Sequence, residues 1–208
     1  MLIKVGLTAG DLVSHRHKRI TLTAVDDLKL EADGHYLTKL AGGYQVHVTA
    51  SPVFAVSGDF DCTLKDRGEL LFTPLNGGRF DLQVGSDSRP RMPYRGGLRV
   101  KRDGEVLRVT LECNLETYVE GVLDSEVPAY FQVEAMKAQA ILARTYALRP
   151  RLSHAGDGFN VCDSYLHCQA FNGLRKLTGK QSLAIKATAG QILSFEGKPA
   201  LALSVKSS

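Results

Sequence analysis

The apolar spacing of this chain changes near Asn114, and that change limits the folds open to it. Before that point hydrophobic and polar residues alternate, as in Ile3, Val5 and Leu7, in Tyr44, Val46 and Val48, and in Phe80, Leu82 and Val84. A period of two places one side of an extended strand against a core, so this part reads as many short strands. After Asn114 the spacing becomes three and four. Val133, Met136, Ala140, Ala143 and Ala147 form a narrow stripe of mostly small side chains. Such a stripe lets another backbone approach closely and marks a central, buried helix over about 132–148, stopping before Pro150. Asn114 is a good N-cap for a shorter helix over about 115–123, with Glu116 favourably placed in its first turn. Pro128 then discourages continuation, because its ring restricts Val127 and it has no N–H to give the ladder. The expected class is α+β: a β-rich N-terminal region over 1–93, then a mixed domain over 94–208 carrying the short helix and the buried Ala-rich one. The Ser/Arg/Pro-rich stretch SDSRPRMPYRGG (86–97) marks the boundary.

Turn chemistry adds detail. Asn76-Gly77-Gly78 between LLFTPL and RFDLQV reads as a hairpin, Asp33-Gly34 as a weaker one, and Asp103-Gly104 as the turn of GLRVKRDGEVLRVTL. Across that last turn Leu98 and Val100 share a face with Leu107, Val109 and Leu111. His15, His17, His35 and His47 are scattered and read as surface or strand residues. At 208 residues with 44% hydrophobic and 23% charged content, the chain can bury a sizeable core. Its net charge of +4 is modest and suits a well-solvated surface; the basic thickening from Arg89 to Arg108 reads as an exposed strand face, and no nucleic-acid partner is expected. No run approaches the ~18 apolar residues that span a membrane. MLIKVGL enters a strand-like alternation directly, so no signal peptide is read there.

Two places carry chemistry. Glu126 is an isolated acid in a Ser-Glu-Val-Pro loop, beside Val122, Leu123 and Val127. Partial desolvation there would raise its pKa and keep a proton available near neutral pH, which suits protonation of a leaving glycosidic oxygen. An ordinary glycosidase needs a second carboxylate, for which Asp124 and Asp163 are candidates. A lone glutamate suits an internal transfer instead, as acid toward the leaving oxygen and then base toward a hydroxyl of the same sugar. On spacing alone, a loop glutamate reads more often as a helix-terminus or salt-bridge residue. The second place is H-x7-C-x4-H-C, formed by His154, Cys162, His167 and Cys168. Two thiolates and two imidazoles complete a tetrahedral zinc set, and a saturated set would be structural. A Cys162–Cys168 disulfide and free thiols are the competing readings. Cys62 and Cys113 read as small buried side chains, with a mutual bridge unsupported. Arg144 and Tyr146, on an otherwise apolar helix, need polar partners, which are either structural groups or a substrate.

These residues lie in segments that resemble a known family. YRG (94–96), LETYVEGVLDSEVP (115–128), EAMKAQAILARTYAL (134–148), HCQAFNG (167–173) and AIKATAGQIL (184–193) are similar, in order and spacing, to the SpoIID/LytB domain. That is the sporulation stage II protein D group of peptidoglycan lytic transglycosylases. The resemblance covers about 94–195; the first ninety residues are only weakly similar to the β-rich leader of that domain. It implies cleavage of MurNAc–GlcNAc glycan strands, denuded of stem peptides, to 1,6-anhydro products, with Glu126 as the single acid/base. It implies a structural zinc held by Cys162, Cys168, His167 and His154, and cleft or cleft-supporting roles for Arg144, Tyr146, Gln139 and Gln169. It further implies an extracytoplasmic location at the cell envelope. The alternative implied by the LytB name is a non-catalytic wall-binding module that enhances a cell-wall amidase. The family commonly continues past Ser207-Ser208 with a Gly-Gly-Thr segment and a tryptophan. This chain has no tryptophan, so a domain shortened at its C-terminus is expected.

Overall fold

The computed structural model describes residues 1–8, 14–64, 68–85, 89–149, 154, 156–174 and 177–202. The elements are β1 (Leu2–Gly6), β2 (Arg16–His17), β3 (Arg19–Ala24), β4 (Leu28–Ala32), β5 (His35–Leu40), β6 (Gln45–Thr49), β7 (Ala55–Gly58), β8 (Cys62–Thr63), β9 (Glu69–Pro74), β10 (Arg79–Val84), β11 (Met92–Arg95), β12 (Gly97–Asp103), β13 (Val106–Asn114), α1 (Leu115–Glu126), α2 (Val133–Leu148), β14 (Val161–Cys162), α3 (Gly179–Ala187), β15 (Ser194–Phe195) and β16 (Lys198–Pro199). The fold is α+β, with the strands concentrated in the N-terminal half.

One sheet runs β14–β1–β13–β12–β9–β4–β5 with β2 also on β13, a second runs β11–β10–β3–β6–β7–β8, and β15–β16 form a small ribbon. Alternation places Ile3, Val5, Leu28, Leu30, Leu70, Phe72, Leu98, Val100, Val109 and Leu111 on the buried side of the first sheet, each without exposed surface. Removing such a side chain from water contributes about 1.5–3 kcal/mol. The opposite side carries cross-strand charges: Lys4 and Arg99 both reach Glu112, at 3.6 and 2.8 Å, and Arg99 also pairs with Glu69. The basic thickening is therefore a strand face with its carboxylates interleaved, and each exposed pair contributes no more than about 1 kcal/mol.

The Asp33-Gly34 and Asp103-Gly104 turns are hairpins, and Leu98 faces Leu111 and Val100 faces Val109 across the second. Asn76-Gly77-Gly78 does something else. It carries the chain from β9 in the first sheet to β10 in the second, through a short 3-10 turn with Asn76 at φ 53°. The flanking alternation is right, but the partners of the two strands lie elsewhere, which no local signal encodes. The expected boundary at 93/94 does not separate the sheets either: β1 pairs with β13, β9 with β12, and β10 with β11. Strand pairing joins both regions around one apolar core. Residues 86–88 of the expected linker and the terminal Ser207-Ser208 lie outside the described residues.

α1 grows directly out of β13. Asn114 ends the strand and caps the helix, its Oδ1 accepting the Thr117 N–H at 2.8 Å. The helix runs three residues beyond the expected Leu123, so Glu126 is its last residue rather than part of a loop. Pro128 constrains only the residue before it, and Val127 accordingly leaves the helix at φ −114°, ψ 110°. α2 matches its expected span, with Gln132 as N-cap. Met136, Ala140, Ala143 and Ala147 are buried, and so are Arg144, Thr145 and Tyr146, so the last turns are enclosed on every side. α3 opens with a capping box between Thr178 and Gln181. The Gln181 amide then donates to the Leu123 and Val127 carbonyls at 3.3 and 3.2 Å and so ties α3 to the end of α1, where the Leu123 carbonyl also accepts the Val127 N–H at 3.0 Å. Among the described residues no helix is long and apolar enough to cross a membrane.

Candidate active site

Glu126 sits where three segments meet. α1 delivers its backbone, α2 sends Gln139 Nε2 to its Oε2 at 2.9 Å, and the segment after β14 sends the Ala170 N–H to its Oε1 at 2.9 Å. Both carboxyl oxygens are thus held from the protein side while the residue remains half-buried. Burial raises its pKa above the ordinary 4.5, and the Ala170 N–H opposes this only in part. The supports are themselves tied down. Ser125 Oγ donates to the Gly121 carbonyl at 2.7 Å and accepts the Asn172 N–H at 2.8 Å, fastening the 170–173 segment to α1. Phe171 lies on Gly121, where a Cβ would stand 2.3 Å from its ring, and stacks with Tyr118 and Tyr94 at centroid distances of 5.5 and 6.1 Å.

The other expected cleft residues divide. Gln139 touches the carboxylate. Arg144 does not approach a cleft: its exposure is 0%, and its guanidinium grips both Glu116 oxygens at 2.8 and 2.7 Å, Thr188 Oγ1 at 3.1 Å and the Ile185 carbonyl at 3.1 Å. It is a strut joining α1, α2 and α3. Gln169 is buried and accepts from the Tyr118 hydroxyl at 3.3 Å; the Tyr146 hydroxyl donates to the His167 carbonyl at 3.3 Å. These two brace the segment that carries Ala170. Of the candidate second carboxylates, Asp163 is buried and accepts the Thr8 N–H with both oxygens, at 2.8 and 3.0 Å. Asp124 lies two residues before Glu126 on the same helix, a spacing that points side chains apart.

β14 pairs parallel to β1 and fixes Cys162 beside Gly6. Room for this arrangement comes from Gly6, whose added Cβ would meet the Phe159 ring at 2.5 Å. His154, Cys162 and Cys168 are all buried, with their ligand atoms within 4.8 Å of one another. His154 Nε2 lies 3.2 Å from Cys168 Sγ, and its Nδ1 lies 3.4 Å from Asp157. All three donors are soft or borderline, and an outer carboxylate orients the imidazole, so this set suits zinc. His167, the remaining member of the expected set, is exposed and its ring is not in the cluster. Both cysteines are free thiols. The Cys162 S–H donated to Cys168 lowers the Cys168 pKa, and the same bond raises that of Cys162. Cys62 and Cys113 lie on different sheets and are also free.

Sequence reasoning missed Glu116 as the Arg144 partner, Asp157 behind His154, and the Ala170 N–H. The first two carry a visible signal, an acid able to match a helix arginine or a histidine. A backbone N–H carries none.

Residues 103–195 match the family SpoIID, described as stage II sporulation protein, and they form a SpoIID domain. The segment includes Glu126, its supports and the Cys/His cluster. Similar proteins include an uncharacterized protein of Brachyspira hyodysenteriae, 36% identical over 106 residues, which are 50% of this chain and 28% of that protein. The stage II sporulation protein D of Bacillus amyloliquefaciens is 36% identical over 102 residues, and that of Bacillus subtilis 37% over 100; each match covers 41% of this chain and 29% of the relative. The chain thus spans less than a third of the length of these relatives.

Proposed function

We propose that this chain is a cell-wall protein acting as a lytic transglycosylase on peptidoglycan glycan strands, with Glu126 as its single acid/base. The observation that carries this reading is the Glu126 carboxyl itself, half-buried, raised in pKa, and held by Gln139 and Ala170. A protonated carboxyl gives its proton to the glycosidic oxygen as the C1–O bond breaks. The resulting carboxylate then takes the proton of the C6 hydroxyl of the same sugar as that oxygen bonds to C1, closing a 1,6-anhydro ring. No water is consumed and no second carboxylate is required. The engagement of Asp163 with Thr8 and the i−2 placement of Asp124 support a one-acid scheme over a two-carboxylate hydrolase.

Zinc belongs to the same reading as a structural ion, which His154, Cys162 and Cys168 would hold. Bound there, it would lock the turn between Cys162 and Cys168 and so the segment that presents Ala170 to Glu126. The substrate implied is glycan denuded of stem peptides, at an extracytoplasmic location. The test is mass spectrometry of products from denuded glycan. Anhydro-terminated fragments support the proposal, and reducing ends would identify a hydrolase. Glycan binding without turnover, with stimulation of an added amidase, would replace the proposal with the amidase-enhancer alternative.

A further inference from the structure

The link between α1 and α2, residues 127–132, carries an aromatic pair that the fold does not use. The Phe131 N–H donates to the Pro128 carbonyl at 3.0 Å, so the link is a compact turn. Its side chains are not folded under it: Tyr130 keeps 78% of its surface exposed and Phe131 39%, with ring centroids 5.3 Å apart and planes at 60°. Two adjoining aromatic rings in water forgo the burial that stabilises such side chains elsewhere, and an exposed apolar patch of this kind marks a contact surface. Its position says with what. The turn begins one residue after Glu126, and four residues cannot carry Tyr130 more than about 14 Å from it even when extended. The rings themselves carry the contact, since from Val127 to Gln139 the only charged residues are Glu134 and Lys137, which pair with each other at 2.7 Å.

We propose that Tyr130 and Phe131 form a stacking platform for a pyranose ring of the ligand whose glycosidic bond lies at Glu126. A pyranose presents C–H groups on its flat faces, apolar and slightly positive, which match the negative face of an aromatic ring and leave the sugar hydroxyls in water. The pair binds sugar beyond the bond being broken and sets which units of the strand lie on each side of Glu126. This inference rests on the reading of the ligand as a glycan, but not on the chemistry assigned to Glu126.

The test uses the full chain in a Glu126→Gln background, titrated by calorimetry with GlcNAc–MurNAc oligosaccharides free of peptide. Tyr130→Ala is expected to weaken binding about tenfold, a loss typical of one buried aromatic contact, with Phe131→Ala weaker in effect. Tyr130→Phe is expected to restore binding, because the ring and not the hydroxyl does the stacking. With Glu126 present, Tyr130→Ala is expected to raise KM more than it lowers kcat, and to shift the lengths of released fragments. Unchanged binding in Tyr130→Ala would overturn the proposal, as would a Tyr130→Phe variant as weak as the alanine one. Loss of partition onto neutral vesicles, with oligosaccharide binding intact, would make the pair a membrane contact and equally overturn it. The two readings fail separately: retained turnover in Glu126→Gln refutes the acid, and retained binding in Tyr130→Ala refutes the platform.

Discussion

Replacing the buried Arg144 is expected to destabilise the protein less than truncating its half-exposed partner. Arg144 has no exposed surface, whereas the Glu116 side chain keeps 40% of its own. Glu116→Ala leaves a guanidinium enclosed among α1, α2 and α3 without its counter-charge, and stranding one member of a buried pair costs about 3 kcal/mol or more. Arg144→Met removes the charge and keeps most of the volume. Glu116 can then turn to water, and Thr188 Oγ1 keeps its bond to the Ala184 carbonyl at 2.8 Å. The Ile185 carbonyl keeps the Thr188 N–H at 3.3 Å. What remains is the loss of charge-assisted hydrogen bonds that are partly replaced, about 1–2 kcal/mol. Urea denaturation followed by far-UV circular dichroism measures both changes, since the midpoint moves with stability while the slope stays constant. A methionine variant as unstable as Glu116→Ala would refute the strut. So would an Arg144→Met protein of unchanged stability that no longer binds glycan, which would return Arg144 to the cleft.

Gly121→Ala should destabilise by about 1–2 kcal/mol even though alanine is the better helix former, because the new methyl meets Phe171 at 2.3 Å and overpacking outweighs a propensity gain of about 1 kcal/mol; a more stable variant in thermal melts would contradict the packing. Because folding raises the Glu126 pKa, the folded state holds its proton longer than the unfolded one, so this contribution is fully present below pH 4.5 and lost as pH rises through the folded value. Glu126→Gln should therefore gain stability relative to the parent with rising pH across that window, and a difference independent of pH in denaturation series would argue against burial as the cause. Cys168→Ser should lower the zinc content of purified protein from about one equivalent per chain and lower its melting temperature, whereas chelator-insensitive melting and metal-free thiols would reject the zinc proposal.

The α+β class, the capped short helix, the buried Ala-rich helix and the Asp33-Gly34 and Asp103-Gly104 hairpins were legible because each rests on local spacing or turn chemistry. The Asn76 turn has the local chemistry of a hairpin, but whether two successive strands pair depends on which other strands compete for their edges, and β9 and β10 join different sheets. The end of α1 lies three residues past the expected Leu123, because Pro128 restrains only Val127, the residue before it. Glu126, Gln139 and the Cys/His cluster were legible as residue types, but their assembly was not. The Ala170 N–H and the burial that gives Arg144 to the scaffold exist only once α3 and the 162–173 segment have packed on α1.

The most direct test of the central claim is release of 1,6-anhydro-terminated fragments from denuded glycan by parent and Glu126→Gln proteins of equal folded content. The account predicts fragments from the parent and none above background from the variant, with oligosaccharide binding retained. Equal release from both would show that the carboxyl held by Gln139 and Ala170 is not the acid of this reaction.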